Sequence, residues 1–143
     1  MILPDANLLL YAYNTDSPFH AESAAWWSKC LSGSEPVALC PVVLFAFVRV
    51  GTHTRAFANP MSVGEATGHI LEWLEQPVSR FVDMEKQDVE KALQLLATAG
   101  TGGNLTSDAQ IAAIALRIGA VIHTVDTDFA RFKNVKSLNP LRR

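Results

Sequence analysis

The chain is expected to fold as an α/β protein, in a three-layer α/β/α arrangement with a central parallel sheet of four to five strands. Three observations lead there. Short apolar runs of strand length alternate with longer stretches whose apolar residues recur at helical spacing. Breaks rich in Gly, Pro and Ser separate one run from the next. Strands joined through helices run parallel and need cover on both faces, because a parallel crossover takes a dozen or more residues. The 143 residues, 49% of them hydrophobic, suit one domain spanning 1–143 around a single buried core.

The first strand falls on Met1-Ile-Leu-Pro4, where Pro4 is tolerated because it stands at the strand's end. Residues 6–13 read as one or two helical turns. A longer helix starts at Pro18, with Ala21, Ala24, Ala25, Trp27 and Leu31 as its apolar face and Ser32-Gly33-Ser34 as its stop. Val37-Ala-Leu39 is the second strand. The apolar stretch after Pro41, to about Val50, is too long for an ordinary strand and reads as a buried helix with Arg49 and His53 near its exposed end. Ser62-Val-Gly-Glu65 has capping-box spacing for a helix to about Glu75, which Pro77 stops. Residues 78–82 fit a third strand, and 86–99 a helix with Val89, Ala92, Leu93, Leu96 and Ala97 inward. Gly100-Thr-Gly-Gly-Asn104 follows a helix and lacks the full Gly-x-Gly-x-x-Gly pattern, which argues against a dinucleotide site. Thr106 or Ser107 caps the next helix and Gly119 ends it. Residues 120–124 form strand four, and 135–138 offer a fifth.

This scheme lets four aspartates converge. Asp5 follows strand one and Asp126 and Asp128 follow strand four, beyond the carboxyl ends where such sheets bind ligands. Asp108 opens a helix whose N-terminus lies beside those ends. Carboxylates gathered there repel one another unless a cation sits between them, and hard cations such as Mg²⁺ or Mn²⁺ take oxygen ligands. Taken singly, Asp108 reads first as a first-turn helix residue, and Asp126 and Asp128 as turn residues, with Asp128 capping a short helix over 129–132. Asp5 lies between two apolar segments, where an unpaired carboxylate is costly. Asn7 and Thr124 stand close enough to orient Asp5 or a ligand water, or else make local turn bonds. Arg49 is either a partner for a carboxylate or substrate phosphate, or a snorkelling surface arginine.

The net charge of −2 does not announce a nucleic-acid binder, but the charge is uneven. From residue 129 onward the chain carries Arg131, Lys133, Lys136, Arg142 and Arg143 with no acid, which suits either a phosphate-backbone contact or a solvated tail. Cys30 and Cys40 make no zinc spacing and are expected to be buried thiols, and the four histidines have no ligand spacing. An apolar start broken at Asp5 fits neither a signal peptide nor a membrane anchor, so a soluble, cytoplasmic protein is expected.

Four segments carry a resemblance. Pro4-Asp5-Ala6-Asn7, Phe47-Val-Arg49-Val-Gly-Thr52-His53, Gly103-Asn104-Leu-Thr-Ser-Asp108 and Thr124-Val-Asp126-Thr-Asp128-Phe129 are similar, in order and spacing, to those of a PIN-domain toxin of the VapC type. The resemblance covers nearly the whole chain. It implies an α/β/α sandwich, a homodimer, a VapB-like antitoxin partner and Mg²⁺- or Mn²⁺-dependent endoribonuclease activity on structured RNA, often transfer RNA, with arrest of translation as the result. It implies hydrolysis that leaves a 5′-phosphate. One position departs from the family pattern: Ala46 stands where a glutamate is expected, and residues 37–63 hold no acid. That places more weight on Asp5 and Asp108 as direct ligands, with Asp126 and Asp128 binding directly or through water. It also predicts weaker metal affinity, or coordination completed by substrate phosphates.

Two rival readings follow. A catalytically weak scaffold would bind RNA or antitoxin without cutting. A phosphoryl-transfer receiver or aspartyl phosphatase also groups acids at strand ends, but this chain has neither an Asp-x-Asp at strand one nor an evident partner lysine near the late strands.

Overall fold

The computed structural model describes residues 1–142. β1 (Ile2–Pro4) and β2 (Val37–Leu39) are short and wholly buried, as inner strands of a parallel sheet must be when helices cover both faces. β3 (Ser79–Phe81), β4 (Val121–His123) and β5 (Ser137–Leu138) complete a five-stranded sheet in the order β3-β2-β1-β4-β5, with every pairing parallel. The chain steps outward from β1 through β2 to β3, then crosses back to lay β4 on the other side of β1. The direction of winding therefore reverses between β1 and β4, and a crevice opens there at the carboxyl ends of the strands. Pro4 pairs with His123, and the Asp5 amide donates to the His123 carbonyl at 2.9 Å, so Asp5 and Thr124 leave the sheet side by side.

Six helices fill the crossovers: α1 (Ala6–Tyr13), α2 (His20–Ser32), α3 (Pro41–Gly51), α4 (Val63–Glu75), α5 (Lys86–Ala99) and α6 (Leu105–Ile118). Pro41 opens α3 where no intrahelical donor is needed. At its other end Gly51 lets the Met61 side chain pack close, since a Cβ there would displace the Met61 methyl. Ser62 and Glu65 form the reciprocal capping box expected for α4. Gly119 ends α6 at φ 68°, the left-handed conformation that suits glycine. Leu3, Leu9, Leu39, Phe47, Trp73, Ile114 and Ile122 are fully buried between the layers. A 3-10 turn, Asp128–Arg131, links β4 to β5 and buries Phe129.

Three expectations about the helices are corrected. α2 buries Ser23, Trp27 and Cys30, while Ala21 and Ala25 are exposed; the large indole fixes which stripe turns inward, since small alanines bury too little area to compete. α5 buries Asp88, Ala92 and Leu95 and turns Val89, Leu93 and Ala97 to solvent. Its phase is set by an ion pair: Arg117 Nε on α6 donates to both Asp88 oxygens at 2.9 and 3.0 Å, drawing that face in. α6 begins at Leu105, so Thr106 and Ser107 lie within its first turn and neither caps it; burial of Leu105 starts the helix early. Cys30 and Cys40 are unpaired buried thiols, each pushed up to about 11 by burial, and inert as nucleophiles for that reason. Among the described residues no helix is long and apolar enough to cross a membrane.

Candidate metal centre

The crevice between β1 and β4 collects the acids. Asp5 is the N-cap of α1: one of its oxygens accepts the Ala6 amide at 2.8 Å and the other the Thr124 hydroxyl at 2.8 Å, and only 8% of the residue is exposed. Burial pushes its carboxyl up, the Thr124 and Ala6 bonds oppose that rise, and the charge of Asp126 adds to it. Thr124 is the junction of this corner. Its hydroxyl donates to Asp5 and accepts both the Asp126 amide at 2.9 Å and the Asn7 side-chain amide at 3.3 Å. A hydroxyl has one proton and two lone pairs, so all its capacity is in use and the Asn7 amide must point its nitrogen inward. Asn7 Oδ1 is then left buried without a partner, an acceptor suited to a proton of a ligand water.

Asp108, Asp126 and Asp128 close the other side, each offering a carboxylate oxygen within 4.8 Å of the others. Asp126 is positioned by the turn after β4, and its side chain accepts the Asp128 amide at 2.8 Å. Asp128 is thus the first residue of the 3-10 turn and not its cap: Thr127 holds the N-cap position without a side-chain bond, and Asp126 accepts the amide of that first residue through a local turn. Asp108 stands on the fourth residue of α6, near the positive end of the helix dipole. Its carboxyl is nonetheless pushed up to about 7, first by burial and then by the charges of Asp126, Asp5 and Asp128. All four sequence-identified aspartates thus meet in one place. The tight trio is Asp108, Asp126 and Asp128, with Asp5 beside it.

An all-oxygen donor set fits a hard divalent cation. Among the described residues no Lys, Arg or His forms an ion pair with any of the four acids, so no such pair offsets their repulsion there. A cleft of about 580 Å³ runs from this centre along α3 and is lined by Asp5, Ala46, Arg49, Asp108, Ser107 and Gln110. Ala46 presents a methyl group to the wall, so the acid that the family pattern expects there is not replaced from elsewhere on α3. As cleft-lining residues, Gln110 escaped the sequence reading and Ser107 was read only as a candidate cap. Their places beside the candidate ligand Asp108 on the same helix were the signal that could have found them. His20, His53 and His123 bond to nearby groups of the fold, and His123 is held below its ordinary pKa by burial, taking the Trp26 indole proton donor at 3.1 Å.

Residues 2–135 match the PIN domain family. Over 142 residues the chain is 41% identical to ribonuclease VapC33 of Mycobacterium tuberculosis, covering 99% of both chains. Among solved structures it is similar to VapC20 of Mycobacterium tuberculosis, described as a sarcin-ricin loop cleaving toxin, with a TM-score of 0.71 and 18% identity over 95% of this chain and 99% of that one. It is also similar to VapBC2 from Rickettsia felis, solved bound to a DNA fragment from its promoter, with a TM-score of 0.65 and 19% identity over 97% of this chain and 98% of the other. At those identities the two structures speak to the fold alone.

Proposed function

Because the chain belongs to the PIN-domain family, among the VapC ribonucleases, we propose that it is a Mg²⁺- or Mn²⁺-dependent endoribonuclease toxin that hydrolyses phosphodiester bonds in structured RNA. Transfer RNA is the proposed substrate and arrest of translation the proposed outcome. The observation that carries the metal-dependent reading is the trio of carboxylates within 4.8 Å of one another, with a fourth beside it and, among the described residues, no cationic side chain in an ion pair with any of them. Asp5 and Asp108 would hold the cation, with Asp126 and Asp128 binding it directly or through water. When bound, a divalent cation supplies charge neutralisation at the phosphate and a hydrolytic nucleophile at neutral pH.

The chain's own residues do the rest. Thr124 and the Ala6 amide fix both oxygens of Asp5, so the ligand is preorganised. Asn7 Oδ1 orients an attacking or ligand water. Arg49, across the cleft from Asp108, neutralises a phosphate oxygen of the substrate. Water as the nucleophile leaves a 5′-phosphate on the downstream product, whereas attack by the ribose 2′-hydroxyl would leave a cyclic phosphate. A VapB-like antitoxin, a homodimer and a cytoplasmic setting belong to the same proposal, with one domain over 1–143 carrying the activity.

Incubating the purified chain with a transfer RNA pool in Mg²⁺, in EDTA and with Asp5→Ala tests the reading. Cleavage confined to wild type in Mg²⁺, with 5′-phosphate ends, is expected. RNA that is bound but stays intact in Mg²⁺ would favour the scaffold reading, which the Ala46 methyl in the cleft wall keeps in view.

A further inference from the structure

Arg49 belongs to two depressions. It lines the cleft that holds Asp5 and Asp108, and it also lines a second one of about 380 Å³ at the end of α3, together with Val50, His53, Arg55 and Ala56. Arg49, His53 and Arg55 are exposed, and among the described residues none takes part in an ion pair. Residues 37–63 hold no acid, and Asp16, which reaches this region from the α1–α2 loop, is bonded to Asn59. His53 Nδ1 accepts the Arg55 amide at 3.0 Å, so in its neutral form the ring proton is on Nε2. The second depression is apolar over nearly all of its lining surface, with Val50 and Ala56 set among Arg49, His53 and Arg55, whose exposed side chains bring cations and an N–H donor beside that apolar floor. Its apolar floor suits the face of a base, and its cations suit a phosphate or stack on that base.

We propose that Arg49, His53 and Arg55 form a nucleotide-binding track that grips the RNA strand on one side of the bond to be cut. Arg49 spans the two sites, so the phosphate at the metal centre and the next nucleotide are held by one continuous line of donors. An acidic protein segment would satisfy the cations, but it would leave the apolar floor unused and would have no reason to continue into the metal cleft. The inference rests on the ribonuclease reading of that cleft and adds where the strand lies.

The test measures binding of a fluorescein-labelled transfer RNA pool in Mg²⁺ over a series of salt concentrations, in an Asp5→Asn background that stops cutting. His53→Asn with Arg55→Gln should weaken binding about tenfold and reduce the salt slope by about 1, and adding Arg49→Gln should lower both again. Lys91→Gln, a charge removed from the exposed side of α5, should leave both unchanged. Thermal melting of each variant establishes that it is folded. Equal affinity and slope for the double variant, or an equal loss in Lys91→Gln, overturns the track. A wild-type chain that cuts the pool while the double variant binds undiminished removes the track alone. A wild-type chain that neither binds nor cuts it removes the ribonuclease reading and this inference together.

Discussion

Asp108 stands where two demands conflict. The α6 terminus favours a negative charge, but burial and three neighbouring acids disfavour it, and the second influence wins, raising the carboxyl to about 7. The consequence for stability has a definite sign. Between the unfolded value of 3.8 and about 7, the metal-free native state keeps a proton that the unfolded chain has released, so stability falls as pH rises through that window. Asp5, also raised, contributes in the same direction. In EDTA the melting temperature should therefore decline between pH 5 and pH 8, and saturating Mg²⁺ should reverse the decline by preferring the folded, deprotonated form. Asp108→Asn removes one of the repelling charges. In EDTA at pH 8 it should melt about 2–5 °C higher than wild type while losing most of the Mg²⁺ response, a modest gain because the group is half exposed. A melting profile in EDTA that rises with pH would contradict the crowding of these acids.

At the scale of elements, α6 carries Asp108 and is held to α5 by one buried charge. Asp88 is 1% exposed, accepts Arg117 Nε on both oxygens and takes the Glu85 amide at 2.9 Å, and Arg117 also reaches the Asp83 carbonyl at 3.0 Å. Arg117→Met strands that carboxylate and should lower unfolding stability by about 3 kcal/mol in a denaturant titration, whereas breaking the exposed Lys86–Glu90 pair should change it by less than about 0.5 kcal/mol. Equal effects from the two would refute the distinction. The same pair explains where the sequence was hard to read. Strand positions, the α4 capping box and the glycine end of α6 were legible because each rests on local chemistry that a short segment carries with it. The inward face of α5 was not, because Asp88 counts as polar until a partner 29 residues away neutralises it. For the same reason the capping of α6 was misread: Leu105 is drawn into the core by contacts outside its segment. The convergence of the four aspartates was legible from their places after strands and at a helix start. The role of Thr124 as a saturated hydroxyl was only half visible, since it depends on the β1–β4 register that sets Asp5 beside it.

Over the whole molecule, a net charge of −2 would repel a polyanion if it were spread evenly, so the proposed RNA binding depends on how the charge is distributed. The four clustered acids occupy one crevice, and the segment leaving it turns basic at once. Arg131, Lys133 and Lys136 follow Asp128 within a single connection to β5; all three are exposed, and among the described residues none makes an ion pair. Arg142 is exposed beyond β5, and Arg143 lies outside the described residues. On the ribonuclease reading proposed above, this segment adds candidate phosphate contacts to those of Arg49 on α3. Replacing Arg131, Lys133 and Lys136 by glutamine together should weaken binding of a transfer RNA pool and lower its salt slope by about 2, while leaving the Mg²⁺-induced rise in melting temperature in place, because no residue of the acid trio is touched. If instead affinity is unchanged at both low and high salt, the basic segment is a solvated surface, and the substrate must be held by α3 and the metal centre alone.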